Sequence, residues 1–255
     1  MSSVQPTSSS QPNEKTMDWE RAKSCLAELN GLAPSILHQG IIIGGIACWF
    51  YRQLLAKADD SEFRMTNLSA EQEQLWLSKD IDFTNFFAQD ARELLKEHIV
   101  RDTQGRLQIK LAGVPIGFAR VGVTFDPEHA WAESWIASFK WNESLIQCRI
   151  LDPVTLYREK LALSQKRGLK SDRLHCELLA EFLRFETCRQ AHILATADGL
   201  ELRTDALKFL LAVQDRALEV CQDTRAFRRI SHSISQGNAL TPAERKLLIA
   251  LSNPA

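Results

Sequence analysis

No stretch of this chain is apolar for the ~20 residues that a bilayer-spanning helix needs. The longest such run, Ile41 to Tyr51, is broken by Gly44 and Gly45. The first sixteen residues, rich in Ser, Gln and Pro, have no apolar core that would make a secretory signal. They read instead as a disordered lead. There is no CxxC among the six cysteines, Cys25, Cys48, Cys148, Cys176, Cys188 and Cys221, and no Cys/His cluster with zinc-ligand spacing. His175 and Cys176 are adjacent, but neighbouring helical residues point apart. Buried free thiols, a cytoplasmic setting and no membrane partner are therefore expected. Charge of one sign is also missing: 31 Lys plus Arg against 32 Asp plus Glu leave a net charge of -1. No global field draws the chain toward nucleic acid, so a polyanion site must be local. The sequence contains no internal repeat, Walker loop, dinucleotide GxGxxG, HExxH, GxSxG or kinase catalytic loop.

What is present is the balance of an ordinary globular protein of 255 residues, 45% hydrophobic and 25% charged. Two regimes divide it. Residues 17–151 mix strand and helix signals; residues 152–255 are all helical in period. In the first part, 17–31 read as a helix, Ile36 to Ile43 as a buried strand, and Ile46 to Ala56 as a helix beyond a Gly-Gly break. Asp80 to Phe83 alternates acid and apolar residues as a strand does, and a helix is expected over Asn85 to Glu97. Leu107 to Leu111 and Ile116 to Phe125 form a hairpin pattern joined through Gly-Val-Pro, and Leu145 to Leu151 is a further strand. The segment 128–143, with Trp131, Trp135 and Trp141, has no firm assignment; its rings could stack a base or simply pack. In the second part, Asp152-Pro153 is a helix start. Leu174, Leu178, Leu179, Phe182 and Leu183 form one apolar stripe, and Leu207, Leu210, Leu211 and Leu218 another. Thr241-Pro242-Ala243-Glu244 is a capping box. The expected fold is α+β: a mixed sheet flanked by helices, then an all-helical C-terminal part.

One arrangement carries chemistry. Gly44-Gly45, between an apolar strand and a helix, lets a ligand approach the backbone and gathers free N–H groups at the positive end of the helix dipole. That is a cradle for phosphate. Asp80 and Asp82, two apart on a strand, project to one face within about 7 Å, and their mutual repulsion is relieved by a divalent cation. Hard oxygen ligands suit Mg²⁺ (or Mn²⁺), which completes its shell with water and substrate phosphates. Each half alone has a plain structural explanation, a tight turn and the wet face of a sheet. Their conjunction points to a metal ion and a nucleoside triphosphate. Lys166, Arg167, Lys170 and Arg173, and separately Arg225, Arg228 and Arg229, read as solvated helix ends that could also meet phosphates.

With its flanks, Ile43-Gly44-Gly45-Ile46-Ala47 and Ser78-Lys79-Asp80-Ile81-Asp82-Phe83, this arrangement resembles the nucleotidyltransferase superfamily with the polymerase-β-like fold, and most closely its AbiEii-type toxin branch. Arg149 to Pro153, Lys160-Leu161-Ala162 and the Arg167 to Arg173 step, with Lys170 and Asp172, are similar to the family's passage from sheet to helices. The resemblance spans about residues 36–185. It implies transfer of a nucleoside monophosphate from a triphosphate to an acceptor, which could be tRNA, a protein hydroxyl or a small molecule. A toxin would further have an antitoxin partner. Asp80 and Asp82 would hold the metal, while Gly44, Gly45, Ser78, Lys79 and Lys160 would face the nucleotide. Family members carry a third carboxylate on a later strand. Here the matching strand offers Gly122 and Thr124, with Asp126 in phase at its end, either as that third catalytic acid or as the start of an Asp-Pro turn. Without it the alternative is a catalytically degenerate relative that binds a nucleotide or a partner.

Overall fold

The computed structural model describes residues 17–57, 69, 78–119, 134–221, 224–237 and 240–252. Asp126 and the rest of 120–133, Trp131 included, lie outside the described residues, as does the N-terminal lead.

Helix α1 (Trp19–Leu32) begins where the Asp18 carboxylate accepts from the Arg21 N–H at 2.8 Å, and buries Ala22, Cys25, Leu26 and Leu29 along one face. The strand expected from Ile36 begins only at Ile41. Pro34 opens a short helix, α2 (Pro34–Gln39), and only Ile41–Ile43 forms strand β1. Proline fixes the first helical φ and the β-branched triplet comes only afterwards. Gly40 separates the two because a Cβ there would lie 2.6 Å from the Ile36 carbonyl oxygen. Helix α3 (Gly44–Lys57) starts on the glycine pair itself, two residues earlier than expected.

Strand β2 (Ile81–Thr84) pairs antiparallel with β1, with Ile43 opposite Asp82. The helix expected over 85–97 is shorter: α4 (Ala88–Leu94) and one 3₁₀ turn (Lys96–His98). Asn85, at φ 60, holds a left-handed turn that delays the helix, and its side-chain amide donates to the Gln39 carbonyl. Strands β3 (Ile99–Arg101), β4 (Leu107–Leu111) and β5 (Val114–Phe118) follow. The β4–β5 hairpin is present, but its connection is Ala112-Gly113, both at positive φ, rather than Gly-Val-Pro. Two left-handed residues match the twist of a two-residue hairpin, so Val114 and Pro115 are already strand. The unassigned segment supplies edge strand β6 (Trp135–Trp141), antiparallel to β7 (Ser144–Ile150).

The seven strands lie in the order β3-β4-β5-β2-β1-β7-β6, with β1–β7 and β2–β5 parallel. β1 is an interior strand, between β2 and β7, and wholly buried, which explains its uninterrupted Ile-Ile-Ile. The C-terminal end of β1, the N-terminal end of β2 and the C-terminal end of β7 meet at one edge of the sheet.

Helix α5 (Pro153–Arg167) begins at that edge, capped by Asp152, whose carboxylate accepts from the Thr155 N–H at 2.9 Å, and ends at Gly168 in the left-handed region. The long α6 (Lys170–Thr196) buries Leu174, Leu178, Leu179, Phe182 and Leu183, the stripe expected from the sequence. α7 (Leu200–Arg216) departs from its expected stripe: Leu211 is half exposed, and Ala206, Leu210 and Val213 form the buried face, with Ala217 following. α8 (Leu218–Cys221), α9 (Thr224–Gln236) and α10 (Pro242–Ser252) complete the described chain. The capping box is formed: the Glu244 N–H donates to Thr241 Oγ1, and the Thr241 N–H donates to Glu244 Oε2. Buried residues of the sheet and of the helices make one contiguous core. All six cysteines are free thiols, four buried and two half-buried. Among the described residues no helix is long and apolar enough to cross a membrane.

Candidate functional site

The site forms where β1 hands over to α3. Gly44 has φ +71, a conformation that side chains resist, and a Cβ on it would stand 3.6 Å from Asp82 Oδ2. Gly45 faces Ser78 on one side and the His175 ring on the other; a Cβ there would lie 3.2 Å from Ser78 Oγ and 3.5 Å from His175 Cε1. The glycine pair and Asp82, far apart in sequence, therefore meet at one point.

Asp82 is set by sheet register. It lies between Ile43 of β1 and Gly117 of β5. Gly117 leaves room for its carboxylate, because a Cβ at 117 would come within 2.2 Å of Asp82 Oδ1. Asp80 was expected on the strand but sits one residue before it, in a bend where its carbonyl accepts from Ser78 Oγ at 2.8 Å. Ser78 itself bridges antiparallel to Met17, whose N–H donates to the Ser78 carbonyl at 3.1 Å, and the chain bends at Lys79 and Asp80. Lys79 is exposed between Ser78 and Asp80.

The electrostatics follow from this geometry. Burial, reinforced by the nearby Asp80 charge, raises the Asp82 carboxyl from 3.8 to about 6, against the opposing pull of Lys160. Lys160, on α5, lies 3.5 Å from Asp172 of α6, both side chains only 7% exposed. Glu159, beside it, is raised by burial, with Lys160 and Arg167 pulling the other way. The His175 ring is lowered to about 3 by burial and then by the Lys160 charge, so it is neutral at physiological pH. Among the described residues Glu159 Oε2 and Asp172 Oδ2 are buried and accept no hydrogen bond. Such orphaned oxygens are characteristic of a site completed by water or ligand.

Of the residues singled out from the sequence, Gly44, Gly45, Ser78, Asp80, Asp82 and Lys160 come together here, and Asp126 lies outside the described residues. Glu159 and Gly117 have no place in the expected site, and His175 enters the sequence reading only beside Cys176, as a metal pair set aside. Gly117 carried a signal, since a glycine inside a strand marks close approach. Glu159 and His175 carried none, as their burial depends on helices folding back on the sheet.

Chemically, the site pairs a shielded carboxylate and its neighbour Asp80 with a helix N-terminus and a buried ammonium, anion and cation within one electrostatic neighbourhood. Among the described residues no three His, Cys, Asp or Glu side chains could by themselves enclose a metal. An ion held here would take one or two carboxylates and find its other ligands in water and substrate, the habit of Mg²⁺.

No family model matches the chain, and no curated protein matches it. Among solved structures it is similar to an antigenic nucleotidyltransferase-like protein from Paracoccidioides brasiliensis, at 15% identity and a TM-score of 0.35, over 76% of this chain and 89% of that one.

Proposed function

We propose that this protein is a Mg²⁺-dependent nucleotidyltransferase, moving a nucleoside monophosphate from a triphosphate to an acceptor hydroxyl with release of pyrophosphate. The observation that carries the reading is the convergence of Gly44 on the Asp82 carboxylate. The residues fit the ion: Asp82 is destabilised as a lone charge by burial and by Asp80, and a divalent cation removes both penalties. Asp80 and Asp82 would hold it, and when bound it supplies charge neutralisation at the bridging and leaving phosphate oxygens. The chain's own residues do the rest. The first turn of α3 offers N–H groups to the phosphates, with Gly44 and Gly45 keeping side chains out of the way. Lys160, anchored by Asp172, places a positive charge beside the carboxylates, toward the substrate anion. The buried, neutral His175 packs against Gly45 and fixes the turn without adding charge. Catalysis then rests on in-line positioning and electrostatic stabilisation.

The acceptor is RNA, protein or a small molecule. In the toxin branch that the sequence resembles, the consequence of activity would be growth arrest relieved by a co-expressed antitoxin. The second reading, a catalytically silent nucleotide-binding module, is favoured by one feature of the sequence, Gly122 and Thr124 where the matching strand of the resembled family carries an acid. Pyrophosphate release with Mg²⁺ and each of the four triphosphates, in the presence of RNA or protein acceptors, separates the two. Turnover that is lost in Asp80→Asn/Asp82→Asn supports the enzyme. Metal-dependent nucleotide binding without turnover supports the module, and turnover surviving the double substitution overturns the site.

A further inference from the structure

A second cavity, of about 880 Å³, opens at the far end of α6, between the start of β6, the first turn of α5 and the outer face of α7. It is not a lobe of the glycine–aspartate site. Along α6, Glu186 of the cavity lies eleven residues beyond His175, roughly 16 Å at the helical rise. The space between is filled by Phe182, whose ring packs on Tyr51 at 4.7 Å and on Trp135 at 5.8 Å.

The walls are aromatic and the far end is polar. Trp135 and Phe209 line the cavity with ring centroids 6.1 Å apart and planes inclined by 52°. At the polar end the buried Glu186 carboxylate accepts from Arg189 Nε at 2.9 Å and Nη2 at 2.6 Å, and from the Gln190 side-chain amide at 2.6 Å. A carboxylate is expensive to bury, and here it fixes the planes of a guanidinium and an amide at a cavity wall. The Arg189 Nη1 donor and the Gln190 carbonyl acceptor are not consumed by Glu186. Both residues line the cavity, so its polar end holds a donor and an acceptor of the kind a heterocycle edge pairs with. The lining holds four carboxylates and three cationic side chains, a formal excess of one negative charge, which disfavours a polyphosphate. The volume lies within the range of small-molecule sites and exceeds what one heterocycle needs.

We propose that this cavity is a second ligand site, separate from the phosphate-binding one, that takes an uncharged nucleoside. Its base rests on Trp135 or Phe209 and presents a polar edge to Arg189 and Gln190. Base–aromatic stacking is tolerant of base identity, so selectivity would come from that edge.

Isothermal titration of the full chain with adenosine, guanosine, cytidine and uridine, without metal, tests this. At least one nucleoside binds saturably. Leu211→Arg, at the half-exposed rim, obstructs the cavity and weakens binding tenfold or more while leaving the melting temperature in place; Gln190→Ala, at the half-buried polar end, weakens it too. Asp82→Asn leaves it unchanged, so the result stands whether or not the metal–triphosphate reading does. Absence of binding by all four nucleosides at millimolar concentration overturns the proposal. So does binding that is lost in Asp82→Asn but indifferent to Leu211→Arg, and so does a free triphosphate that binds Asp82→Asn more tightly than its nucleoside.

Discussion

Replacing Asp82 by Asn tests the electrostatics of the site without disturbing its shape. In the folded protein the Asp82 carboxyl titrates near 6 rather than 3.8. The native state thus binds this proton more tightly than the unfolded chain does. Between those two pH values stability falls as pH rises, and above about 6 the full cost is present. Two pH units correspond to about 3 kcal/mol, and water reaching the partly exposed carboxylate reduces this to about 1–3 kcal/mol. Asn keeps the shape and removes the charge. In metal-free buffer at pH 7.5 Asp82→Asn is therefore expected to melt higher than wild type by about 3–9 °C. At pH 4, where the wild-type carboxyl is already protonated, the difference vanishes. Added Mg²⁺ at pH 7.5 closes the gap by stabilising wild type alone. Scanning calorimetry at several pH values, with and without the ion, measures each of these. A variant that melts lower at pH 7.5, or a difference that does not change with pH, refutes the reasoning.

Three other outcomes follow from particular contacts. Lys160→Met strands Asp172 as a buried charge and should cost about 3–5 kcal/mol, most of it recovered by adding Asp172→Leu; a double-mutant cycle with no coupling would show the pair is not interacting. Gly117→Ala drives a methyl into the Asp82 carboxylate and should abolish Mg²⁺–triphosphate stabilisation in a thermal-shift assay; retention of the full shift would place the ion elsewhere. Thr241→Ala removes one arm of the α10 capping box and should lower stability by about 1 kcal/mol in denaturant titration, with no effect on nucleotide binding.

The parts of this molecule that were legible in the sequence are those written locally. Asp152-Pro153 and Thr241 to Glu244 announce their helices because a cap is a matter of three or four residues. The Ile41–Ile43 triplet followed by two glycines could be read because a central strand is apolar on both faces and a bend at its end needs glycine. Ile36 and Leu37 are helical where their pattern predicts a strand, because a short apolar run fits a buried helix as well as a strand and only Pro34 favours the helix. Strand β6 was obscured by tryptophans spaced for either element. Glu159 and His175 could not have been found: each looks like an ordinary polar helix residue until α5 and α6 fold against α3. The convergence of Gly44 with Asp82 depended on a strand pairing across almost forty residues, which motif order implied and register delivered.

The most direct test is the binding of Mn²⁺ as a paramagnetic stand-in for the ion, followed by the loss of the free-ion resonance as protein is added in the presence of a non-hydrolysable triphosphate. The account predicts that wild type depletes the free ion and that Asp80→Asn/Asp82→Asn, equally folded, does not. Equal depletion by both proteins, or none by wild type, would contradict it.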